Sequence, residues 1–130
     1  SASDDWSTPD DVFWWANERF GPLTLDVCAD ASNTKCFRYI CKEQDGLTAI
    51  WDSAACWMNP PYGRGIGEWI KRACGHDGVT VCLLPARTDT QWFHDYCVGA
   101  AVYFLRGRLK FGGAKHSAPF PSMIVVFNGK

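Results

Sequence analysis

Asn59-Pro60-Pro61-Tyr62 sits inside the stretch WMNPPYGRG, directly after an apolar run. Two adjacent prolines remove two backbone donors and fix φ twice, so the segment is stiff, extended and unable to continue a sheet. The Asn59 amide oxygen and the Pro60 carbonyl are then two rigidly held acceptors. Two acceptors at one point suit an NH2 group, which has two hydrogens to give. Tyr62 beside them offers a face for a planar ring. Together these residues describe a clamp for an amino group on a planar molecule. The same four residues also read as a rigid strand-to-helix turn with Tyr62 in the core, and taken alone they leave both readings open.

The elements around the clamp must hold it in place. Thr8 suits a helix N-cap, Pro9 the first helical position, and Asp11 falls at capping-box spacing. Val12, Ala16, Arg19 and Phe20 follow at helical spacing until Gly21-Pro22. Short β-like runs occupy Leu23–Cys28 and Cys36–Cys41, and Asp45–Trp51 has room for one or two helical turns. Ala54–Met58 delivers the chain to the clamp. Ile66, Trp69, Ile70 and Ala73 mark one face of a second helix, with Gly75 as its expected stop. Gly78–Leu84 reads as a buried strand cut by Pro85, and Thr88 or Asp89 as the cap of a helix through Trp92, Phe93 and Tyr96. Strands are expected at Ala101–Leu105 and Ser122–Phe127, with a basic loop between them.

Strands alternating with helices predict a single α/β domain over residues 1–130, built on a mostly parallel sheet. Such sheets bind ligands outside the carboxyl ends of their strands. Three polar loops fall at such ends: Asp26–Asn33, Asn59–Gly65 and Pro85–Asp89.

Composition narrows the class. The 130 residues are 47% hydrophobic and 21% charged, which marks a globular chain rather than a disordered one. No apolar run approaches the ~20 residues of a membrane span, and no leader is evident, so the expected setting is cytoplasmic, without a membrane partner. The seven cysteines are scattered and partly within apolar runs. That pattern reads as reduced, buried thiols. Cys36 and Cys41 lack a second matching pair, so no metal site is expected. The net charge of −1 hides an asymmetry: residues 1–59 carry four Lys/Arg against ten Asp/Glu, and residues 60–130 carry nine against four. A basic half suits an anionic partner at one surface, although ordinary surface charge would give the same totals.

Read in order, the motifs resemble one family. They are Trp6-x-Thr8-Pro9, Leu25-Asp26-Val27-Cys28-Ala29-Asp30, Asp45-Gly46-Leu47 and Trp57-Met-Asn-Pro-Pro-Tyr-Gly63. Leu84-Pro-Ala-Arg-Thr-Asp-Thr90 with Trp92-Phe-His94, Arg106-Gly-Arg-Leu-Lys-Phe-Gly112 and Ser117-Ala-Pro-Phe-Pro121 complete the series. Nearly end to end, the chain resembles the small, phage-type DNA N6-adenine methyltransferases, the Dam-like branch of the S-adenosylmethionine-dependent amino-methyltransferases.

The resemblance implies a compact Rossmann-like methyltransferase fold, mostly parallel and flanked by helices, with a terminal antiparallel strand. It implies methyl transfer from S-adenosylmethionine to N6 of a flipped adenine, leaving S-adenosylhomocysteine, in a bacterial or phage-infected cell. Asn59, Pro60, Pro61 and Tyr62 would be catalytic. The cofactor would lie against Trp6, Thr8, Pro9, Asp26, Ala29, Asp30, Asp45 and Asn59. Where such enzymes usually carry a glycine-rich turn after the first strand, this chain has Ala29 as its small residue. DNA would be held by Arg64, Arg87, Arg106, Arg108, Lys110 and Lys115, with Phe111 as core rather than as a wedge. A domain this small, without an inserted recognition domain, has to read sequence with short loops, form a homodimer, or read little. Two rivals share these residues: methylation of another planar NH2, in RNA or on a protein glutamine, and a non-catalytic DNA-binding module.

Overall fold

The computed structural model of the protein describes residues 6–112 and 115–129. Its elements are α1 (Asp10–Phe20), β1 (Leu25–Asp26), β2 (Arg38–Tyr39), β3 (Cys56–Met58), α2 (Ile66–Gly75), β4 (Thr80–Pro85), a π-helix (Phe93–Cys97), β5 (Ala101–Phe104) and β6 (Ser122–Phe127). The six strands form one sheet in the order β2-β1-β3-β4-β6-β5. The pairs β1·β2, β1·β3 and β3·β4 are parallel, whereas β6 runs antiparallel to both β4 and β5. The last strand of the chain is thus antiparallel, as expected, but it lies inside the sheet rather than at its edge.

Both faces of the sheet are covered. Along β3 successive side chains alternate between faces. Trp57 meets Phe13 of α1, with ring centroids 5.4 Å apart at 85°. Its neighbour Cys56 points the other way, where its Sγ lies 3.6 Å from Nε2 of His76 at the end of α2. All six residues of β4 and all six of β6 are buried. That is why they read as nearly unbroken apolar runs rather than alternating ones.

Four local expectations can be followed into the structure, and the two helix caps among them fail. Thr8 does not cap α1: the helix begins at Asp10 after Pro9 with no side-chain cap, and its first turn bonds through Phe13 N to Pro9 O at 3.3 Å. Asp45–Trp51 makes a single turn of helical spacing, closed by Thr48 N and Ala49 N on Asp45 O. α2 ends with Gly75, the expected stop, and His76 follows as its C-cap. Finally, neither Thr88 nor Asp89 caps the next helix. Thr90 Oγ1 accepts from Phe93 N at 3.3 Å, and the segment winds on as a π-helix.

Candidate active site

The chain leaves β1 toward β2 on one side and later returns as β3 on the other. The carboxyl ends of β1 and β3 therefore flank the point where strand order reverses, the place where open α/β sheets leave a crevice. Pairing carries on just past the strands: Val27 N donates to Trp57 O at 3.1 Å and Ile40 N to Asp26 O at 2.8 Å. Asp26–Cys28 and Trp57–Asn59 are thereby held side by side.

Asn59 has its amide fixed from one end. Its Nδ2 donates to the Trp6 carbonyl and, at 3.0 Å, to Thr8 Oγ1. A carbonyl can only accept, so this pairing decides which end of the amide is nitrogen. The other end, Oδ1, is buried with no partner among the described residues. A buried acceptor left unpaired costs about 1–3 kcal/mol. The arrangement is therefore an oriented acceptor with no donor among the described residues. Thr8 also accepts from Trp57 Nε1 at 3.2 Å, so its hydroxyl links the strand to the N-terminal segment. Sequence reading missed Trp57 in this role, because an indole donor inside an apolar run looks like core alone.

Tyr62 is more enclosed than a stacking platform would suggest, at 4% exposure. Its hydroxyl donates to Leu83 O at 2.9 Å, beyond the last β3–β4 pair, where the prolines have carried the chain away from β4. Phe111 and Phe120 meet its ring at centroid distances of 6.1 and 5.6 Å. Trp6 lies against both, at 5.2 and 5.4 Å. Gly112 N donates to Ser7 O at 3.0 Å and ties the basic loop to the N-terminal segment. Phe111 is core, as expected, at 3% exposure. Trp6 to Thr8 thus form a strap across Asn59, linked to Tyr62 through the rings of Phe111 and Phe120.

The acids expected at the cofactor divide into two kinds. Asp26 is buried at 3% exposure, and its carboxylate accepts from Lys35 N at 3.1 Å and Cys28 N at 3.3 Å. Burial raises its pKa to about 6, against the lowering effect of those two backbone bonds. The Lys35 ammonium bonds elsewhere, to Asp10 at 2.5 Å. By contrast, Asp30 is exposed and organises its own loop through Ser32 and Asn33, and these bonds lower its pKa. Asp45 is also exposed and bonds Leu47 N at 3.0 Å with φ of 59°. Ala29 is half-buried, its N–H on Ile40 O at 3.1 Å. Pro9 is half-buried just ahead of α1.

The Asp45–Trp51 turns are locked by residues with no evident signal in the sequence. Arg72 of α2 donates to the carbonyls of Leu47, Ala49 (2.5 Å) and Gly46 (3.5 Å), and Trp51 Nε1 donates to Gly46 O at 2.9 Å. Gly46 is required there, since a Cβ would fall 2.2 Å from Val27 O. A cavity of about 410 Å³ opens at the β2 edge among Leu25, Tyr39, Ile40, Gln44, Ala49 and Ile50, but it does not reach Asn59.

Arg64, Arg87, Arg106, Arg108, Lys110 and Lys115 are all exposed, and none joins an ion pair among the described residues. Arg87 lies over the Phe120 ring at 5.5 Å, next to the strap. Among the described residues no group of three or more His, Cys, Asp or Glu side chains comes together to hold a metal, and no helix is long and apolar enough to cross a membrane. The buried thiols of Cys36, Cys56 and Cys97 are each pushed up to about 12 by burial, which keeps them protonated.

Comparison with known proteins points to one family. The family model described as "DNA N-6-adenine-methyltransferase (Dam)" matches residues 1–128. The chain is 37% identical over 143 residues to a DNA N-6-adenine-methyltransferase of Haemophilus phage HP1, covering all of this chain and 82% of that protein. It is 33% identical over 102 residues to a DNA N-6-adenine-methyltransferase of Escherichia phage T1, covering 75% of this chain and 42% of the relative.

Proposed function

The chain belongs to the DNA N-6-adenine-methyltransferase (Dam) family and is an adenine-specific DNA methyltransferase, and from that premise we propose that it moves a methyl group from S-adenosylmethionine to N6 of an adenine turned out of the duplex. The observation that carries this reading is the unpaired, buried Asn59 Oδ1, held in orientation by Trp6 and Thr8. Flipping the target nucleotide costs a few kcal/mol, and hydrogen bonds to the base edge offset part of it.

Asn59 Oδ1 accepts one N6 hydrogen and the Pro60 carbonyl the other. Held so, the nitrogen lone pair is directed away from both acceptors. Tyr62 presents its ring to the base once Phe111 and Phe120 give way, and its bond to Leu83 O fixes the ring plane. S-adenosylmethionine, when bound, supplies a methyl group on a positively charged sulfur that leaves without further activation. The fit for a cation is the Asp26 carboxylate, which no cationic side chain bonds among the described residues. Pro9, Ala29, Asp30 and Asp45 would complete the surroundings of the cofactor. Positioning then supplies much of the rate.

The six exposed cations are the contacts to DNA phosphates. The single sheet and core support one catalytic domain, and a homodimer would extend its short footprint. The test is transfer from methyl-labelled cofactor to duplex DNA, single-stranded RNA or protein. Label on N6 of DNA adenine is expected, lost in Asn59→Ala while cofactor binding persists. Tight cofactor binding without transfer to DNA would overturn the proposal.

A further inference from the structure

We infer that Thr8 is a positioning residue for methyl transfer, acting through Asn59 rather than by holding the cofactor. This rests on the role of Asn59 proposed above. The amide of Asn59 has two hydrogens, and both are taken, one by the Trp6 carbonyl and one by Thr8 Oγ1. With two acceptors facing Nδ2, a flipped amide would set its oxygen against the Trp6 carbonyl. Thr8 closes off the remaining freedom, because the second bond stops the amide plane from rotating about the first.

Thr8 is in turn held by the sheet. Trp57 Nε1, which can only donate, bonds the same Oγ1 at 3.2 Å. The Thr8 hydroxyl therefore accepts two N–H groups, one from β3 and one from the residue just beyond it. Thr8 is buried at 6% exposure, and the helix that follows takes no cap bond from it. A capping threonine would have spoken for a local role. Here both bonds reach across the chain, to residues 57 and 59. The result is a relay in which the rigid strand sets Thr8, Thr8 sets the amide plane, and the amide plane sets where Oδ1 points.

The consequence is a split between binding and chemistry. Thr8→Val keeps the shape but removes the acceptor, so the amide hangs on Trp6 alone. The rate at saturating DNA and cofactor is expected to fall about 10- to 100-fold, as for a misaligned reacting group. Cofactor affinity is expected to stay within about threefold of the parent, and Thr8→Ser to restore most of the rate. Asn59→Ala run alongside separates the two ideas. If Asn59→Ala keeps the parental rate, the role of Asn59 is wrong. If Asn59→Ala is inactive but Thr8→Val is unchanged, the relay is wrong. A loss of cofactor affinity in Thr8→Val with the saturated rate intact would make Thr8 a cofactor contact and overturn the inference. Amide exchange in the parent protein gives a readout that does not depend on folding of the variant. Both Asn59 side-chain N–H protons should exchange slowly, and rapid exchange of either would refute the second bond.

Discussion

Asp26 gives the sharpest quantitative test of the site, because its carboxylate is buried at 3% exposure and, among the described residues, is bonded by two backbone N–H groups. Burial raises its pKa from 3.8 to about 6. A carboxyl raised in the folded state binds its proton more tightly there than in the unfolded chain. Its contribution to stability is therefore present in full below pH 3.8 and is lost as pH rises through about 6. A shift of roughly two units corresponds to about 3 kcal/mol between those limits. Between pH 5 and 7.5 the part that disappears is about 1.4 kcal/mol. Asp10 and Asp30 do not confuse this window: their pKa values are lowered, so what they contribute is lost only as pH falls below the ordinary carboxylate range. The assay is urea unfolding at pH 5, 6 and 7.5 for the parent and for Asp26→Asn. The parent should lose stability toward pH 7.5, and the variant should lack that part of the slope. S-adenosylmethionine should also bind the parent more tightly as pH rises through 6, when the carboxylate is ionised to meet its cation. Equal slopes in parent and variant, or a parent that gains stability toward pH 7.5, would refute the reasoning.

Tyr62→Phe removes the bond to Leu83 O, so chemical unfolding should show a loss of about 1 kcal/mol while methyl transfer largely persists. A collapse of transfer in this variant would mean that the hydroxyl, rather than the ring, does the chemistry. Arg72→Met leaves the carbonyls of Gly46, Leu47 and Ala49 without their cation, and unfolding should show a loss of about 2–3 kcal/mol. Arg108→Ala should weaken DNA binding evenly across sequences and reduce the salt slope by about 1, with cofactor affinity unchanged in calorimetry.

What the sequence made legible was whatever depends on local pattern. β6 spans Ser122–Phe127, the stretch its apolar run predicts, because both faces of that strand are covered. β4 includes Pro85, which the sequence reads as a break. As the last paired residue, opposite Ser122, it ends the strand from inside. The two helices follow their apolar spacing. Thr8 shows the limit of such reading. Thr-Pro-Asp-Asp before an apolar helix is a good local cap signal, yet the hydroxyl bonds residues 57 and 59 instead. Arg72 is similar: helical spacing places it beside the core face, but no spacing rule pairs a guanidinium with the carbonyls of a distant turn. Tyr62 was legible as either platform or core, and the fold gives it the surroundings of the second.

Two costs stand close together at the carboxyl ends of β1 and β3. Asp26 is a buried carboxylate without a bonded cation, and Asn59 Oδ1 is a buried oxygen without a donor. Neither is needed to hold the sheet, since β1 pairs through its backbone and Asn59 lies beyond the last pair of β3. Folding alone would favour an apolar residue in each place. Their complements differ: the carboxylate calls for a positive charge and the amide oxygen for an N–H. A cationic methyl donor and an exocyclic amino group carry those two features, and methyl transfer needs both held within reach of one another. The strap from Trp6 to Thr8 orients the second group through two hydrogen bonds, and its indole packs on Phe111 and Phe120, the two rings that enclose Tyr62.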